Sequence, residues 1–121
     1  MKQRLFKMVL LGSIILAGLA VSAAAQSPEM VGGYSNVSVT DPTFQKAVKV
    51  ALKQHASQAH QKLTLVKINK AEGQVVAGEN YRMCMDVKDK HGNVSTVTAV
   101  VWERIRKSMK LTNWAVGCQE L

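Results

Sequence analysis

The sequence predicts an α+β fold in which a single helix is wrapped by a curled, four- to five-stranded antiparallel sheet. Three observations lead to this prediction. Apolar residues recur at helical spacing in only one segment of the mature chain, from Pro42 to about His60. Every later segment instead alternates apolar and polar residues or is rich in β-branched residues. The connections between these segments are short, which favours antiparallel hairpins over parallel crossovers.

Residues 1–25 have the pattern of a cleaved secretory signal peptide. Lys2, Arg4 and Lys7 form a basic start. An apolar run then continues to Val21, and an Ala-Ala-Ala segment before Gln26 offers an A-x-A cleavage site. Because the run is shorter than the ~20 apolar residues of a membrane-spanning helix, a signal is favoured over an anchor. We therefore expect a secreted or periplasmic protein with no stable membrane association after cleavage.

Residues 26–40 are predicted to form an amino-terminal arm that ends in a short first strand. They contain a proline, Gly32, Gly33 and several serines, and they show little periodicity, so a strand is expected only near residues 34–39. The folded domain is predicted to occupy residues 41–121. Arm and domain together have roughly a hundred residues, which is enough for one small domain with a modest core.

The helix is predicted to extend from Pro42 to about His60. Asp41 can accept hydrogen bonds from the free amides of the first turn, and proline suits the first helical position because it has no amide hydrogen to leave unpaired. The apolar face is expected to contain Phe44, Val48, Ala51, Leu52, His55 and Ala59. The opposite face is expected to contain Lys46, Lys49, Lys53 and Gln54.

Four strands are predicted after the helix. They are expected over residues 63–75, 81–88, 94–105 and 109–118. The first of them changes the phase of its alternation near residues 65–66, which indicates a β-bulge. In the second, Tyr81, Met83 and Met85 alternate with polar residues, which is typical of a strand with one buried face.

Cys84 and Cys118 are expected to form a disulfide, because small secreted domains commonly depend on such bridges. The bridge would close a loop of about 34 residues, worth roughly 3–4 kcal/mol in the chain-entropy model. In a regular meander the two cysteines would lie two strands apart, with about 9–10 Å between their α-carbons, which is too far for a disulfide. The bridge therefore requires a strongly curled sheet or a chain end that folds back. Trp114 is predicted to pack over it.

The remaining polar residues do not indicate catalysis, metal binding or nucleic-acid binding. The net charge is +8, but the only dense basic cluster is residues 104–107, and Trp102 is its single aromatic neighbour. His55 and His60 are five residues apart, whereas two metal ligands on one helical face are four apart. No spacing brings a cysteine and a histidine together as a catalytic pair. We therefore expect no enzyme, no cofactor, no metal and no nucleic-acid partner.

Two short motifs carry a functional expectation. Met30-Val31-Gly32-Gly33 places two apolar residues before a double glycine. Gln74-Val75-Val76-Ala77-Gly78 lies where the first two strands after the helix meet. In this order around one long helix, the motifs resemble the cystatin family of cysteine-protease inhibitors. The resemblance extends from Met30 to about Cys118.

The resemblance implies a mechanism and a set of contact residues. In cystatins the arm and two hairpin loops form a wedge that occludes the active-site cleft of papain-like cysteine proteases. The chain is therefore expected to be a reversible, competitive inhibitor, with Met30 and Val31 in the subsites of the protease and Gly32 as a pivot. Gln74 is expected to hold the first loop by hydrogen bonds. The protease-binding residues implied in this way are Met30, Val31, Gly32, Gly33, Gln74, Val75, Val76, Ala77, Gly78 and Ile105.

The second loop departs from the family pattern. Cystatins commonly carry Pro-Trp there, whereas residues 104–108 of this chain read Arg-Ile-Arg-Lys-Ser and Trp102 is expected within the preceding strand. A missing tryptophan anchor costs about 2 kcal/mol or more, about thirtyfold in affinity, and Ile105 offers only a smaller contact. Two alternatives stay open: an inhibitor that relies on arm and first loop, and a non-inhibitory module that binds another partner through its basic second loop. A monomer is expected, with a domain-swapped dimer as the alternative.

Overall fold

The computed structural model describes residues 33–106 and 108–121. The predicted signal segment and residues 26–32 of the arm lie outside these residues. The elements are β1 (Ser35–Asn36), α1 (Pro42–Ala59), β2 (Thr64–Val76), β3 (Gly78–Lys88), β4 (Val94–Glu103) and β5 (Met109–Val116). The strands form one antiparallel sheet in the order β1-β2-β3-β4-β5, and α1 packs on one of its faces. The predicted fold class is confirmed.

Helix α1 begins and ends with the predicted caps. The Phe44 amide donates to Asp41 Oδ2 over 2.9 Å, so the aspartate satisfies one of the free amides of the first turn. Pro42 occupies the first turn, as expected. At the other end His60 adopts a left-handed conformation with φ 52°, and its amide donates to the Ala56 carbonyl. A non-glycine residue in this conformation is strained by about 1–2 kcal/mol.

The core lies between α1 and the inner face of the sheet. Phe44 is fully buried and meets Tyr81 edge to face, with ring centroids 6.3 Å apart. The other buried members of the cluster are Ala47, Val48, Ala51, Ala71, Met83, Met85, Val87, Val97, Ala99, Val101 and Leu111. The β3 residues in this set alternate along the strand, as the sequence predicted.

Two residues of the helix lie differently from the prediction. Ala59 is exposed, because the helix ends there and the sheet does not reach it. Gln54 was assigned to the solvent face but contacts β5. Its amide nitrogen donates to the Met109 carbonyl over 3.3 Å, and its amide oxygen accepts from the Leu111 amide over 2.8 Å. Gln54 thus links the helix to the edge strand of the sheet.

The strands agree with the prediction in number and order, with local differences. Strand β2 has the expected bulge between Leu65 and Lys67 and a second one between Ile68 and Lys70. Strand β1 is only two residues long, and β4 ends at Glu103. These differences shift the ends of strands and leave the predicted hairpins in place.

Cys84 and Cys118 form the expected disulfide, with their α-carbons 5.3 Å apart. Cys118 does not lie in the last strand, because β5 ends at Val116. It belongs to residues 117–121, a segment we call the tail. Cys84 pairs with Thr98 in the β3–β4 ladder, so the tail must cross β4 to reach β3. The chain end folds back across the sheet, which is one of the two solutions that the spacing of the cysteines required.

Hydrogen bonds with Thr96 and Thr98 hold the tail on the outer face of the sheet, the face opposite α1. The Gly117 amide donates to the Thr96 carbonyl over 2.8 Å. The Thr98 hydroxyl donates to the Gly117 carbonyl over 2.5 Å and accepts from the Gln119 amide over 2.8 Å. Thr98 is consequently 1% exposed, although it does not face the helix. The tail acts as a partial cover for the outer face.

The prediction that Trp114 packs over the disulfide is wrong. Trp114 pairs with the buried Ala99 and packs on the core side of the sheet, whereas Cys84 lies on the outer face. The strand alternation ends at Val116, so residues four apart no longer share a face. Trp114 instead stacks on His55, with ring centroids 3.7 Å apart and an interplanar angle of 10°. Burial of the imidazole there lowers the pKa of His55.

Neither a membrane-spanning helix nor a metal site occurs in the part of the chain that the structure describes. Helix α1 is amphipathic and is not apolar enough to cross a membrane, and no other helix is present within these residues. No three histidine, cysteine, aspartate or glutamate side chains of the described residues come close enough together to hold a metal ion.

Candidate functional site

Two hairpin loops lie side by side at one end of the sheet. The first loop, residues 74–78, joins β2 to β3, and the second loop, residues 104–108, joins β4 to β5. Strands β3 and β4 are neighbours, and Glu79 pairs with Glu103 at their loop ends. The hairpins therefore turn at the same edge. Through their pairing the structure brings together the first-loop residues and Ile105, as the sequence predicted.

Residues 33–34, which precede β1, lie toward the same end of the sheet. Strand β1 is antiparallel to β2, with Ser35 opposite Gly73, so the chain before Ser35 continues toward the first loop. Gly33 is exposed, and apart from its chain neighbours no atom of the described residues lies within 4 Å of the position that a Cβ would take. The predicted contact residues Met30, Val31 and Gly32 lie outside the described residues, so their place in the site stays a prediction.

Gly78 makes the tight turn of the first loop possible. Val76 and Gly78 are paired, so only Ala77 lies between the strands, and Gly78 has φ 97°. A Cβ at this position would lie 2.1 Å from the carbonyl oxygen of Glu103 and 3.2 Å from Trp102 Nε1. Both the positive φ and the close approach of β4 therefore require glycine.

Gln74 holds the base of the first loop, as expected. It pairs with Asn80 across the β2–β3 ladder, and the Asn80 side-chain amide donates to Gln74 Oε1 over 3.1 Å. This side-chain bond adds to the backbone ladder that continues to Val76. The loop is thus built as an extension of a regular hairpin, and its conformation is fixed before any partner binds.

Apolar side chains are exposed at both tips. Val75 is 71% exposed and Ile105 is 78% exposed, and Ala77 between the two β-strands is also open to solvent. Val76 is half-buried. Exposed apolar residues grouped at one edge, with a polar sheet face behind them, are typical of a surface that is covered by a partner.

Trp102 connects the two loops. Its indole Nε1 donates to the carbonyl oxygen of Ala77 over 2.9 Å, which fixes the tip of the first loop to β4. On one side its ring lines a surface depression of about 290 Å³ together with Val76 and Asn80. On the other side it lines a depression of about 300 Å³ together with Ile105.

Trp102 lies within the strand, as the sequence predicted, but the sequence indicated no role for it at the site. The available signal was its position next to Val101. Because Val101 is apolar and predicted to face the core, Trp102 must face outward, one step from the loop. Its partner Ala77 lies on another hairpin, so the hydrogen bond depends on the register between β3 and β4, which the sequence does not display. The Arg104 guanidinium carbon is 5.5 Å from the centre of its ring, a cation–π distance.

Tyr81 lies beneath the loops and supports them from the core side. It is 5% exposed. Burial raises the pKa of Tyr81 to about 12, and the negative charges of Glu79 and Glu103 add to the effect. The phenol therefore stays neutral at physiological pH, and it is hydrogen-bonded to Glu79 at the base of the first loop.

Comparison with known proteins places this architecture in a family. A family model described as SQAPI, aspartic acid proteinase inhibitor, matches residues 36–115. Cysteine proteinase inhibitor 8 of Oryza sativa subsp. japonica is 36% identical over 95 residues, which cover 71% of this chain and 77% of the relative. Cystatin-1 of Zea mays is 30% identical over 121 residues, which cover 90% of this chain and 88% of the relative. The chain belongs to the cystatin family.

The cystatin fold is also found among solved structures. The crystal structure of a salivary cystatin from the soft tick Ornithodoros moubata aligns with a TM-score of 0.59 at 20% sequence identity, over 72% of this chain and 98% of the tick protein. The helix and five-stranded sheet described above are thus the cystatin architecture. The family and the relatives are protease inhibitors and not enzymes, which confirms the prediction that the chain has no enzymatic activity.

Proposed function

We propose that this cystatin is a reversible, competitive inhibitor of papain-like cysteine proteases that acts by inserting its arm and two loops into the active-site cleft. The observation that carries the proposal is the edge at which Val75 and Ile105 are exposed on neighbouring hairpins, linked by the bond from Trp102 to Ala77. The relatives named cysteine proteinase inhibitors support this choice of target.

Preorganisation is the source of affinity in this proposal. The first loop is paired up to Val76 and Gly78, and its tip is fixed by the indole of Trp102. A loop that is already ordered loses little conformational entropy when it enters a cleft, so more of the apolar contact energy appears as affinity. In this mechanism the inhibitor forms no covalent bond with the protease and requires no cofactor. The absence of a side chain at Gly78 lets the backbone of both loops stay close together.

Trp102 and Ile105 together take the place of the Pro-Trp pair of other cystatins. Both line the depression beside the second loop, and the indole is only half-buried in the free protein. A protease wall packed against this depression would bury aromatic and aliphatic surface, the kind of contact that dominates protein interfaces. The second loop then contributes through Ile105 at its tip and Trp102 at its base.

The remaining parts of the proposal follow from the sequence. Met30 and Val31 would occupy the protease subsites that precede the scissile bond, with Gly32 as the pivot. The signal pattern of residues 1–25 supports a location outside the cytoplasm, secreted or periplasmic. A monomer suffices for this mechanism. In a domain-swapped dimer the first hairpin would open, and the first loop would no longer lie beside the second loop. Size-exclusion chromatography of the active material distinguishes the two states.

The test is a titration of the mature protein, Gln26 to Leu121, against papain with a small fluorogenic substrate. Val75→Asp places a charge in the apolar edge and is expected to raise the inhibition constant at least tenfold, about 1.4 kcal/mol. Val94→Asp is the matched control, because Val94 is 57% exposed at the opposite end of the sheet. It is expected to leave the inhibition constant within about twofold. A folded parent that does not inhibit at about 50 μM, an affinity weaker than about 6 kcal/mol, would overturn the proposal.

The matching family model suggests a second class of target, because its description names an inhibitor of aspartic acid proteinases. The same protein is therefore titrated against pepsin in parallel. Inhibition of pepsin but not of papain would mean that the two loops bind aspartic proteases instead of cysteine proteases. In both cases Val75→Asp reports whether the first loop makes the contact.

The non-inhibitory alternative makes a different prediction about salt. Arg104 and Arg106 are exposed on the second loop, and a partner held by them would be released steeply as ionic strength rises. An apolar wedge would keep its affinity between low and moderate salt. A folded protein that inhibits neither protease, and binds an acidic partner only at low salt, would favour the basic-loop module.

A further inference from the structure

A buried arginine on the outer face of the sheet joins three separate segments of the chain. Arg82 is on β3, and it is 6% exposed although it points away from α1. Its surroundings come from β2, from the tail and from the residue that precedes β1. We call Tyr34, Glu72, Arg82 and Leu121 the outer-face cluster.

Each part of the Arg82 guanidinium has a partner. Its Nε donates to Glu72 Oε1 over 2.8 Å, and the two residues are direct partners in the β2–β3 ladder. Its Nη1 donates to the main-chain oxygen of Leu121 over 3.0 Å. Its flat face lies over the ring of Tyr34, with 3.9 Å between the guanidinium carbon and the ring centroid. The edges of the guanidinium thus contact β2 and the tail, and its face contacts the residue that precedes β1.

This arrangement fixes the guanidinium firmly. The buried bond from Arg82 lowers the pKa of Glu72, so the pair is charged at neutral pH. The disulfide at Cys118 holds the tail that supplies Leu121. A planar cation whose position is set by β2 and by the tail provides a rigid platform for the aromatic ring stacked on it.

Tyr34 is the point at which the arm leaves the sheet. Strand β1 makes only two ladder pairs, Ser35 with Gly73 and Asn36 with Glu72. Gly33 immediately before Tyr34 is exposed and has open space where a side chain would be. The stack of Tyr34 on the guanidinium therefore anchors the residue that directly follows the double glycine.

We propose that Tyr34 and Arg82 are positioning residues for the arm: their stack sets the direction in which the arm leaves the sheet, and so its affinity for the protease. The inference rests on the proposed inhibitory function. Two glycines in succession allow many arm directions, and only a few of them place Met30 and Val31 in the cleft. Fixing Tyr34, which follows the glycines, limits the directions that the arm can take, so less conformational freedom is lost on binding.

The test is a double-mutant cycle in the mature chain with papain. Tyr34→Ala removes the ring and is expected to raise the inhibition constant about tenfold, whereas Tyr34→Phe keeps the ring and is expected to retain inhibition within about twofold. Val31→Asp disables the arm. In that background Tyr34→Ala is expected to have little further effect, because the residue acts through the arm. An equal loss in both backgrounds, or no loss in Tyr34→Ala, would overturn the inference.

A second readout does not depend on inhibition. The ¹H–¹⁵N heteronuclear NOE of the Gly33 amide is expected to fall in Tyr34→Ala and to stay at the parent value in Tyr34→Phe. An unchanged value in Tyr34→Ala would show that the stack does not hold the arm. If the parent protein fails to inhibit any protease, the proposed function fails, and this NMR measurement alone decides whether the cluster anchors the arm.

Discussion

Replacement of Gly78 by alanine tests how the two loops are fitted together. The added methyl group would meet two separate obstacles. The backbone has φ 97°, a conformation that L-residues rarely adopt, and the Cβ would lie 2.1 Å from the carbonyl oxygen of Glu103. Because that oxygen belongs to the backbone of β4, no side-chain rotation relieves the contact, and the first loop must move away from the second.

Two other glycines separate the contributions. Gly92 has φ 87° but open space around its Cβ position, so Gly92→Ala measures the backbone conformation alone, about 1–2 kcal/mol. Gly33→Ala meets neither obstacle and is expected to change stability by less than about 0.5 kcal/mol. The overlap at Gly78 adds about 1–3 kcal/mol, as overpacking of a tight interior does. Gly78→Ala is therefore expected to cost about 2–5 kcal/mol.

The assay is urea unfolding of the three variants beside the parent, followed by titration of the folded material against papain. The expected order of destabilisation is Gly78, then Gly92, then Gly33. Gly78→Ala is expected to weaken inhibition as well, whereas Gly92→Ala is not, since Gly92 lies in the turn at the other end of the sheet. Equal destabilisation by Gly78→Ala and Gly92→Ala would refute the reasoning, because it would mean that the approach of β4 to the first loop costs nothing.

Three further predictions concern the loop anchor, the buried phenol and the end of the helix. Trp102→Phe keeps an aromatic ring but loses the hydrogen bond to Ala77, so it is expected to weaken inhibition severalfold at a stability cost of about 1 kcal/mol. Trp114→Phe, on the core side of the sheet, is expected to affect stability alone. Inhibition assays and urea unfolding of both variants test this difference. Because the pKa of Tyr81 is raised from 10.0 to about 12, its contribution to stability is complete below pH 10 and is lost as the pH rises toward 12. Between pH 8 and pH 11.5 the free energy of unfolding of the parent, measured in urea, is therefore expected to fall by about 2 kcal/mol more than that of Tyr81→Phe. His60→Gly relieves the left-handed conformation at φ 52° and is expected to raise the free energy of unfolding by about 0.5–1 kcal/mol; a lower melting temperature would contradict this account of the helix end.

Periodicity predicted the regular elements, because each depends on residues close in sequence. Asp41 and Pro42 marked the start of α1, and the alternation from Tyr81 onward marked β3. One failure lies where that periodicity stops. After Val116 the chain leaves the strand and crosses the sheet, so the rule that placed Trp114 beside Cys118 no longer applied. The expected disulfide still required either a strongly curled sheet or a chain end that folds back, because a disulfide is impossible between strands two apart in a regular sheet, and the chain adopts the second of these.

The site was predictable in part for a similar reason. The first loop is continuous in sequence, so its residues were identified together, and Gly78 marked the turn. Trp102 was not assigned, since its partner Ala77 lies on a different hairpin and the contact depends on the register of β3 against β4. The Tyr34 stack on Arg82 was missed for the same reason, because it unites residues that only the folded sheet brings together.

The outer face of the sheet links these missed contacts. Alternation marked this face as polar, and such a face is ordinarily solvated. Here Gln74, Asn80 and Trp102 are successive partners across β2, β3 and β4, so their side chains form one row on this face just behind the loops. Arg82 lies two residues further along β3, beneath the ring of Tyr34. The two loops and Tyr34 are therefore supported by neighbouring side chains of one surface, the face of the sheet away from the core.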